Sequence, residues 1–103
     1  MNADHDIVIL GSGTTAFAAA RLAAARGKKV LMVEQSYLGG ACVNWGCIPS
    51  KTLIDKAEMY HAARRGEDWG LNLTAGPPDC QTLMDLKRKA VETVRKTHYQ
   101  HEL

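Results

Sequence analysis

Two short apolar runs in the first third of the chain have the character of buried β-strands. They are Ile7–Leu10 and Val30–Val33, and both are continuous and contain β-branched members, as in a parallel strand buried on both faces. Between them, residues 17–26 are so rich in alanine that they predict a helix, and Gly27 is placed to end it. The pattern therefore predicts a strand–helix–strand unit.

The remainder of the chain favours helices. Apolar positions recur at helical spacing through residues 52–60, and a charged, glycine-punctuated loop over 64–70 follows. Residues 71–74 could form a short extended piece before the Gly-Pro-Pro break at 76–78. A second long helix is predicted from Asp79 or from Thr82, the latter in a capping-box-like pair with Asp85, to about His101. Its apolar stripe would comprise Leu83, Leu86, Ala90 and Val94.

Composition bounds the class of protein. The chain has 103 residues, 46% of them hydrophobic, and a formal net charge of +2, which suits one small globular core. Scattered basic residues and few aromatics give no support to nucleic-acid binding. No apolar run is long enough to cross a bilayer, and the polar N-terminus does not resemble a signal peptide, so we predict no membrane association and a cytoplasmic location. The odd count of three cysteines also suits a reducing compartment.

A glycine fingerprint follows the first strand. It matches G-x-G-x-x-G/A, in which the glycines permit a tight turn and the close approach of a pyrophosphate, and its residues are Gly11, Ser12, Gly13, Thr14, Thr15 and Ala16. The following helix would point its N-terminus at the phosphates. Glu34 ends the second strand, where an acid can bond ribose hydroxyls and disfavours the extra phosphate of NADP. An adenine dinucleotide site is predicted; the alternative is a turn that binds nothing.

Two cysteines lie in the most constrained stretch of the chain. Cys42 and Cys47 are surrounded by glycines and closed by Pro49. A disulfide between them would close a very short ring, and such rings tend to be labile, which indicates a redox-active pair. The alternative is half of a zinc site, with Cys80 and a histidine as further ligands. Asn44, between the cysteines, is expected to fix the loop through side-chain to backbone hydrogen bonds.

Residues 7–51 resemble the N-terminal FAD-binding part of the pyridine nucleotide-disulfide oxidoreductases. The sequence from Gly39 to Lys51 satisfies every fixed position of that family's motif G-G-x-C-x-N-x-G-C-x-P-[ST]-K. The resemblance implies an α/β fold, with a Rossmann-like FAD-binding βαβ unit followed by a redox-active helix, as an incomplete domain. It implies FAD as cofactor, Cys47 against the flavin ring and Cys42 as the interchange thiol. The implied FAD contacts are the fingerprint residues, Glu34, Ser36, Gly40, Ala41 and Lys51.

Members of this family are several times longer, so the resemblance implies that residues 1–103 are the N-terminal part of an FAD-binding domain, without the NAD(P)H and dimerisation domains. The parent would be a homodimer that passes electrons from NAD(P)H through FAD to the cysteine pair, and then to a small-molecule or disulfide substrate. Only one fingerprint is present, so the isolated chain is expected not to oxidise NAD(P)H. The mercuric reductase branch is favoured, with the dihydrolipoamide dehydrogenase branch as alternative. A non-catalytic flavin-binding module and a cysteine-based metal or thiol carrier also remain open.

Overall fold

The computed structural model describes residues 3–103. Two 3₁₀ turns, Gly66–Trp69 and Gln100–Glu102, accompany the strands and α-helices. Within the described residues, no helix combines the length and the apolar character needed to cross a membrane. The elements in chain order are β1 (Ile7–Leu10), α1 (Thr14–Ala25), β2 (Val30–Val33), α2 (Gly40–Asn44), α3 (Cys47–Arg64) and α4 (Cys80–His98).

The strand–helix–strand prediction is confirmed. β1 and β2 pair in parallel with Ile7 opposite Val30, and the amide of Gly11 extends the ladder by donating to the carbonyl of Val33 at 2.7 Å. α1 starts earlier than the predicted residue 17, because the end of the fingerprint forms its first turn. It ends as predicted at Gly27, whose positive φ of 73° suits glycine and whose amide donates to the Ala24 carbonyl.

The prediction that both strands are buried on both faces is wrong. Val8 is 57% exposed and Leu10 is 82% exposed. The sheet formed by the described residues has two strands, and α1 is the helix that packs on it. One helix can cover only one face of a sheet, so the other face stays open.

Helices α3 and α4 form a long antiparallel hairpin, since the start of α3 and the end of α4 lie at the same end of the molecule. The longest extent of the structure is 73 Å, and its radius of gyration of 20.2 Å is well above the roughly 13 Å of a compact domain of this length. The N-cap of α4 is Asp79, whose carboxylate accepts from the amides of Gln81 and Thr82, so the predicted capping box from Thr82 does not form.

The most buried apolar side chains lie where α1, α2 and α4 meet. Phe17 and Val43 are each 3% exposed, and the ring of Phe17 packs edge-on against Tyr99 at 4.7 Å. On α4 the buried residue is Val91, which the predicted stripe omitted, whereas Leu86 of that stripe is exposed. The core therefore holds the end of α4 beside α2, the short helix that carries the first cysteine.

Candidate functional site

The glycine fingerprint forms an open turn between β1 and α1. Gly11 has a φ of 100°, a conformation that favours glycine, and Gly13 is the N-cap of α1. No side chain caps α1, and its first turn has no acidic residue, so its leading amides are free to face an anion. A cavity of about 450 Å³ lies against this turn, lined by Ile9, Leu10, Gly11, Gly13, Thr14, Thr15, Ala16 and Ala19.

Ser12 connects this turn to the two segments that follow β2. Its side chain is 1% exposed, and its hydroxyl donates to a carboxylate oxygen of Glu34 at 2.5 Å. The amide of Gly39 donates to the Ser12 carbonyl at 3.0 Å and approaches its hydroxyl at 3.3 Å. Ser12 thus holds both Glu34 and the start of the cysteine motif at this turn. The fingerprint pattern does not indicate this role, because any residue is allowed at position 12.

Glu34 lies at the tip of β2 beside the turn, where the sequence placed it. Its second carboxylate oxygen accepts from the amide of Ser36 at 3.0 Å. The Ser12 hydroxyl, followed by the Ser36 amide, lowers the pKa of Glu34 below its ordinary value of 4.5. The side chain is therefore an anion at neutral pH. Each oxygen keeps room for a further donor, because a carboxylate oxygen can accept two hydrogen bonds.

The Ser12→Ala substitution is expected to raise the pKa of Glu34 towards 4.5, because it removes the hydrogen bond that lowers it most. Since the folded-state pKa is depressed, the native bonds of Glu34 stabilise the fold fully above about pH 4.5, and that stabilisation is lost as pH falls through the lowered pKa. NMR titration of the Glu34 carboxyl measures the shift. Ser50→Ala, at an exposed serine on α3, is the control; an unchanged Glu34 pKa in Ser12→Ala would contradict the assignment.

A glycine–glycine contact seats α2 against the fingerprint turn. Gly40 has a φ of 70°, and a Cβ atom built on it would lie 2.6 Å from the Cα of Gly13. No side chain fits in that space, so the two backbones can approach this closely only because residue 40 is glycine. The preceding Gly39 has a φ of 103° and is buried. The paired glycines ahead of the first cysteine thus bring the cysteine motif to the fingerprint turn.

Cys42 and Cys47 are joined by a disulfide, with their Cα atoms 4.6 Å apart. Cys42 lies within α2 and is half-buried, whereas Cys47 is exposed and is the first residue of α3. Pro49 occupies the first turn of α3, where its missing N–H breaks no intrahelical bond. If the disulfide is reduced, the N-terminal amides of α3 favour the thiolate of Cys47. The exposed Cys80 begins α4 and is not part of this pair.

Asn44 fixes the loop between the cysteines, as predicted. Its side-chain amide donates to the carbonyls of Leu38 and Gly40 at 3.0 and 2.9 Å, and its carbonyl oxygen accepts from Arg95 at 2.6 Å. The guanidinium of Arg95 also lies over the ring of Tyr37, 4.5 Å from its centroid. Sequence reasoning did not identify Arg95, because a contact across 51 residues leaves no periodic signal in the chain.

The other predicted residues are placed as follows. Ser36, Gly40 and Ala41 lie with Glu34 and the fingerprint at the end of the molecule that carries the disulfide. Lys51 is exposed on the second turn of α3, and the nearby Asp55 forms an ion pair with Lys56. Among residues 3–103, no three or more His, Cys, Asp or Glu side chains are grouped so that they could hold a metal ion. A larger apolar cavity, about 620 Å³ between α3 and α4, contains neither cysteine of the disulfide.

The described residues combine a parallel strand–helix–strand unit with a glycine turn and an adjacent disulfide. Residues 5–102 match the family model for pyridine nucleotide-disulphide oxidoreductases. The chain therefore belongs to this oxidoreductase family. The match includes the helical hairpin as well as the strands and the cysteine motif.

Mercuric reductases and dihydrolipoyl dehydrogenases are among the proteins similar to this chain. A mercuric reductase of Lysinibacillus sphaericus is 41% identical over 96 residues, which is 93% of this chain and 18% of that protein. A dihydrolipoyl dehydrogenase of Zymomonas mobilis is 47% identical over 78 residues, 75% of this chain and 16% of that protein. Another from Chlorobaculum parvum is 45% identical over 73 residues, 71% of this chain and 16% of that protein. The chain thus spans under one fifth of the length of the relatives it matches.

Proposed function

We propose that the chain is the FAD-binding, disulfide-carrying N-terminal part of an oxidoreductase of the mercuric reductase type. The observation that carries the proposal is the seating of α2 on the fingerprint turn, because the contact between Gly40 and Gly13 brings a dinucleotide fingerprint and a disulfide together. In the parent enzyme, electrons from NAD(P)H would pass through FAD to Cys47 and Cys42, and then to the substrate.

The fingerprint turn fits the phosphates of FAD. Gly11 and Gly13 present backbone without side chains, and the uncapped N-terminus of α1 offers amides and a favourable dipole to an anion. Glu34, anionic and held by Ser12, has acceptor capacity left for ribose hydroxyls. When bound, FAD supplies two-electron redox chemistry. The residues that would hold it are the fingerprint, Glu34, Ser36, Gly40, Ala41 and Lys51.

The chemistry of the cysteine pair determines which substrates the enzyme could reduce. Reduction breaks the sulfur–sulfur bond and leaves two thiols, of which Cys47 lies at a helix N-terminus that favours its thiolate. A thiolate pair is a soft donor set that suits Hg(II), and it also attacks disulfides. The substrate would therefore be a soft metal ion or a small disulfide.

The extent of similarity favours the mercuric reductase type. Matches to proteins of that name cover 93% and 95% of this chain, so they include most of α4. Those to the dihydrolipoyl dehydrogenases from Zymomonas mobilis and Chlorobaculum parvum cover 75% and 71%, at somewhat higher identity. The second candidate is an enzyme of the dihydrolipoamide dehydrogenase type, because those matches have the higher identity.

We also propose that the parent enzyme is a homodimer and that it is cytoplasmic.

The Gly13→Ala substitution tests the FAD site. The added methyl group would lie 3.9 Å from the Cα of Gly40, an ordinary contact, so the fold is expected to survive. The same methyl group covers backbone that a pyrophosphate must approach, and we expect FAD affinity to fall at least tenfold. Flavin fluorescence titration measures the affinity. Gly76→Ala, in the open loop before α4, is the control. Equal FAD affinity in Gly13→Ala and Gly76→Ala would refute the site, and so would a lack of FAD binding by the unsubstituted 103-residue chain.

A further inference from the structure

Arg95 reaches from the last turn of α4 to the loop between the two cysteines. Its Nε and Nη2 atoms donate to the side-chain oxygen of Asn44 at 3.1 and 2.6 Å. Asn44 is 9% exposed, and charged donors to a buried acceptor make stronger hydrogen bonds than neutral ones. A single arginine thus binds the polar centre of the redox loop.

Asn44 relays this contact to the backbone of α2. Its amide nitrogen donates to the carbonyl of Leu38, which precedes α2, and to that of Gly40, its first residue. α2 has five residues, too few for a helix to be stable on its own, so its position depends on such side-chain bonds. The chain of bonds therefore runs from the guanidinium through Asn44 to the helix that carries Cys42.

Arg95 also contacts Tyr37, which precedes α2. Its guanidinium lies 4.5 Å from the ring centroid of Tyr37, whose ring packs edge-on against Trp45 at 5.9 Å. A planar guanidinium can bond a carbonyl through two nitrogens and stack on an aromatic ring at the same time, whereas a lysine ammonium cannot. The geometry at this position is specific to arginine.

We propose that Arg95 is a positioning residue for the Cys42–Cys47 pair, holding α2 so that the sulfur of Cys42 stays within bonding reach of Cys47. The inference rests on the proposed function in that it takes the pair to be redox-active. The disulfide and the hydrogen bonds from Arg95 to Asn44 occur in the same structure, and the proposal includes that these bonds hold α2 better in the disulfide form than in the dithiol form. Loss of Arg95 then shifts the equilibrium towards the dithiol.

Equilibration of the full chain with reduced and oxidised glutathione tests this role. In oxidation, the two protein thiols become one disulfide while one glutathione disulfide becomes two glutathione thiols, so atoms and electrons balance. We expect Arg95→Gln to lower the equilibrium constant for oxidation about tenfold, and Arg95→Lys to show most of that loss. Arg88→Gln removes an exposed arginine of the same helix that bonds Asp85, and should leave the constant unchanged.

To separate the positioning role of Arg95 from a general loss of stability, the equilibrium constant for oxidation is measured at a temperature at which circular dichroism shows each variant to be folded. In addition, Asn44→Ala combined with Arg95→Gln should lower the constant no more than the larger single effect, because both remove one chain of bonds. Additive effects, or an Arg95→Gln constant equal to that of Arg88→Gln, would overturn the positioning role. Absence of reversible exchange in the unsubstituted chain would instead contradict the redox pair itself. The assay needs neither FAD nor NAD(P)H.

Discussion

The Cys47→Ser substitution is expected to abolish two-electron redox chemistry in this chain, because no disulfide can then form at the site. In the oxidised chain, denatured without reductant, thiol titration should find one free thiol, that of Cys80, and in the variant it should find two. The substitution also opens a very short covalent loop, which by chain entropy lowers the free energy of unfolding by about 2 kcal/mol. Thiol titration and urea denaturation measure the two effects.

Cys80→Ser is the matched control for that substitution, since Cys80 is exposed and lies outside the pair. It should leave the disulfide intact, lower the thiol count of the oxidised chain to zero, and leave stability nearly unchanged. Peptide mapping that joins Cys80 to either motif cysteine would contradict the assigned pairing. So would an oxidised unsubstituted chain in which all three cysteines titrate as thiols.

The Gly40→Ala substitution is expected to be the most disruptive change outside the cysteines. A positive φ costs a non-glycine residue about 1 kcal/mol, and the collision of the new methyl group with the backbone of Gly13 adds a further 1–3 kcal/mol, as overpacking typically does. Because α2 must move away from the turn, FAD affinity should fall as well. Urea denaturation and flavin titration of the same samples measure both.

Gly27→Ala separates the two contributions. Gly27 has a φ of 73°, close to the 70° of Gly40, but a Cβ atom built there meets nothing within 4 Å. It should therefore cost about 1 kcal/mol of stability from backbone strain alone and leave FAD affinity unchanged. If the two substitutions destabilise the chain equally, the close approach of Gly40 to Gly13 is not important for the fold.

Local patterns predicted most of the elements because each signal lies within one short segment. Continuous apolar runs predicted β1 and β2, and Gly27 predicted the end of α1. The start of α4 was ambiguous, since both Asp79 and Thr82 can cap a helix. The structure selects Asp79, whose carboxylate bonds two backbone amides and also the Thr82 hydroxyl at 2.6 Å.

Burial and long-range contacts were not predictable in the same way. The apolar run Ile7–Leu10 looks fully buried, yet its exposure depends on what packs on the sheet, which the run itself does not encode. The fingerprint and the cysteine motif were each recognised, but their contact through Gly13 and Gly40 depends on three-dimensional approach. For the same reason the sequence pattern gives Arg95 no role, because its contact with Asn44 joins residues 51 positions apart.

The position of Cys80 makes the oxidised chain convenient for spectroscopy. It begins α4, fifteen residues before Arg95, a separation of about 22 Å along a helix. Because Cys42 and Cys47 are joined in a disulfide, a maleimide dye would react with Cys80 alone. A label there would lie at the end of the hairpin opposite the disulfide, which stays unmodified.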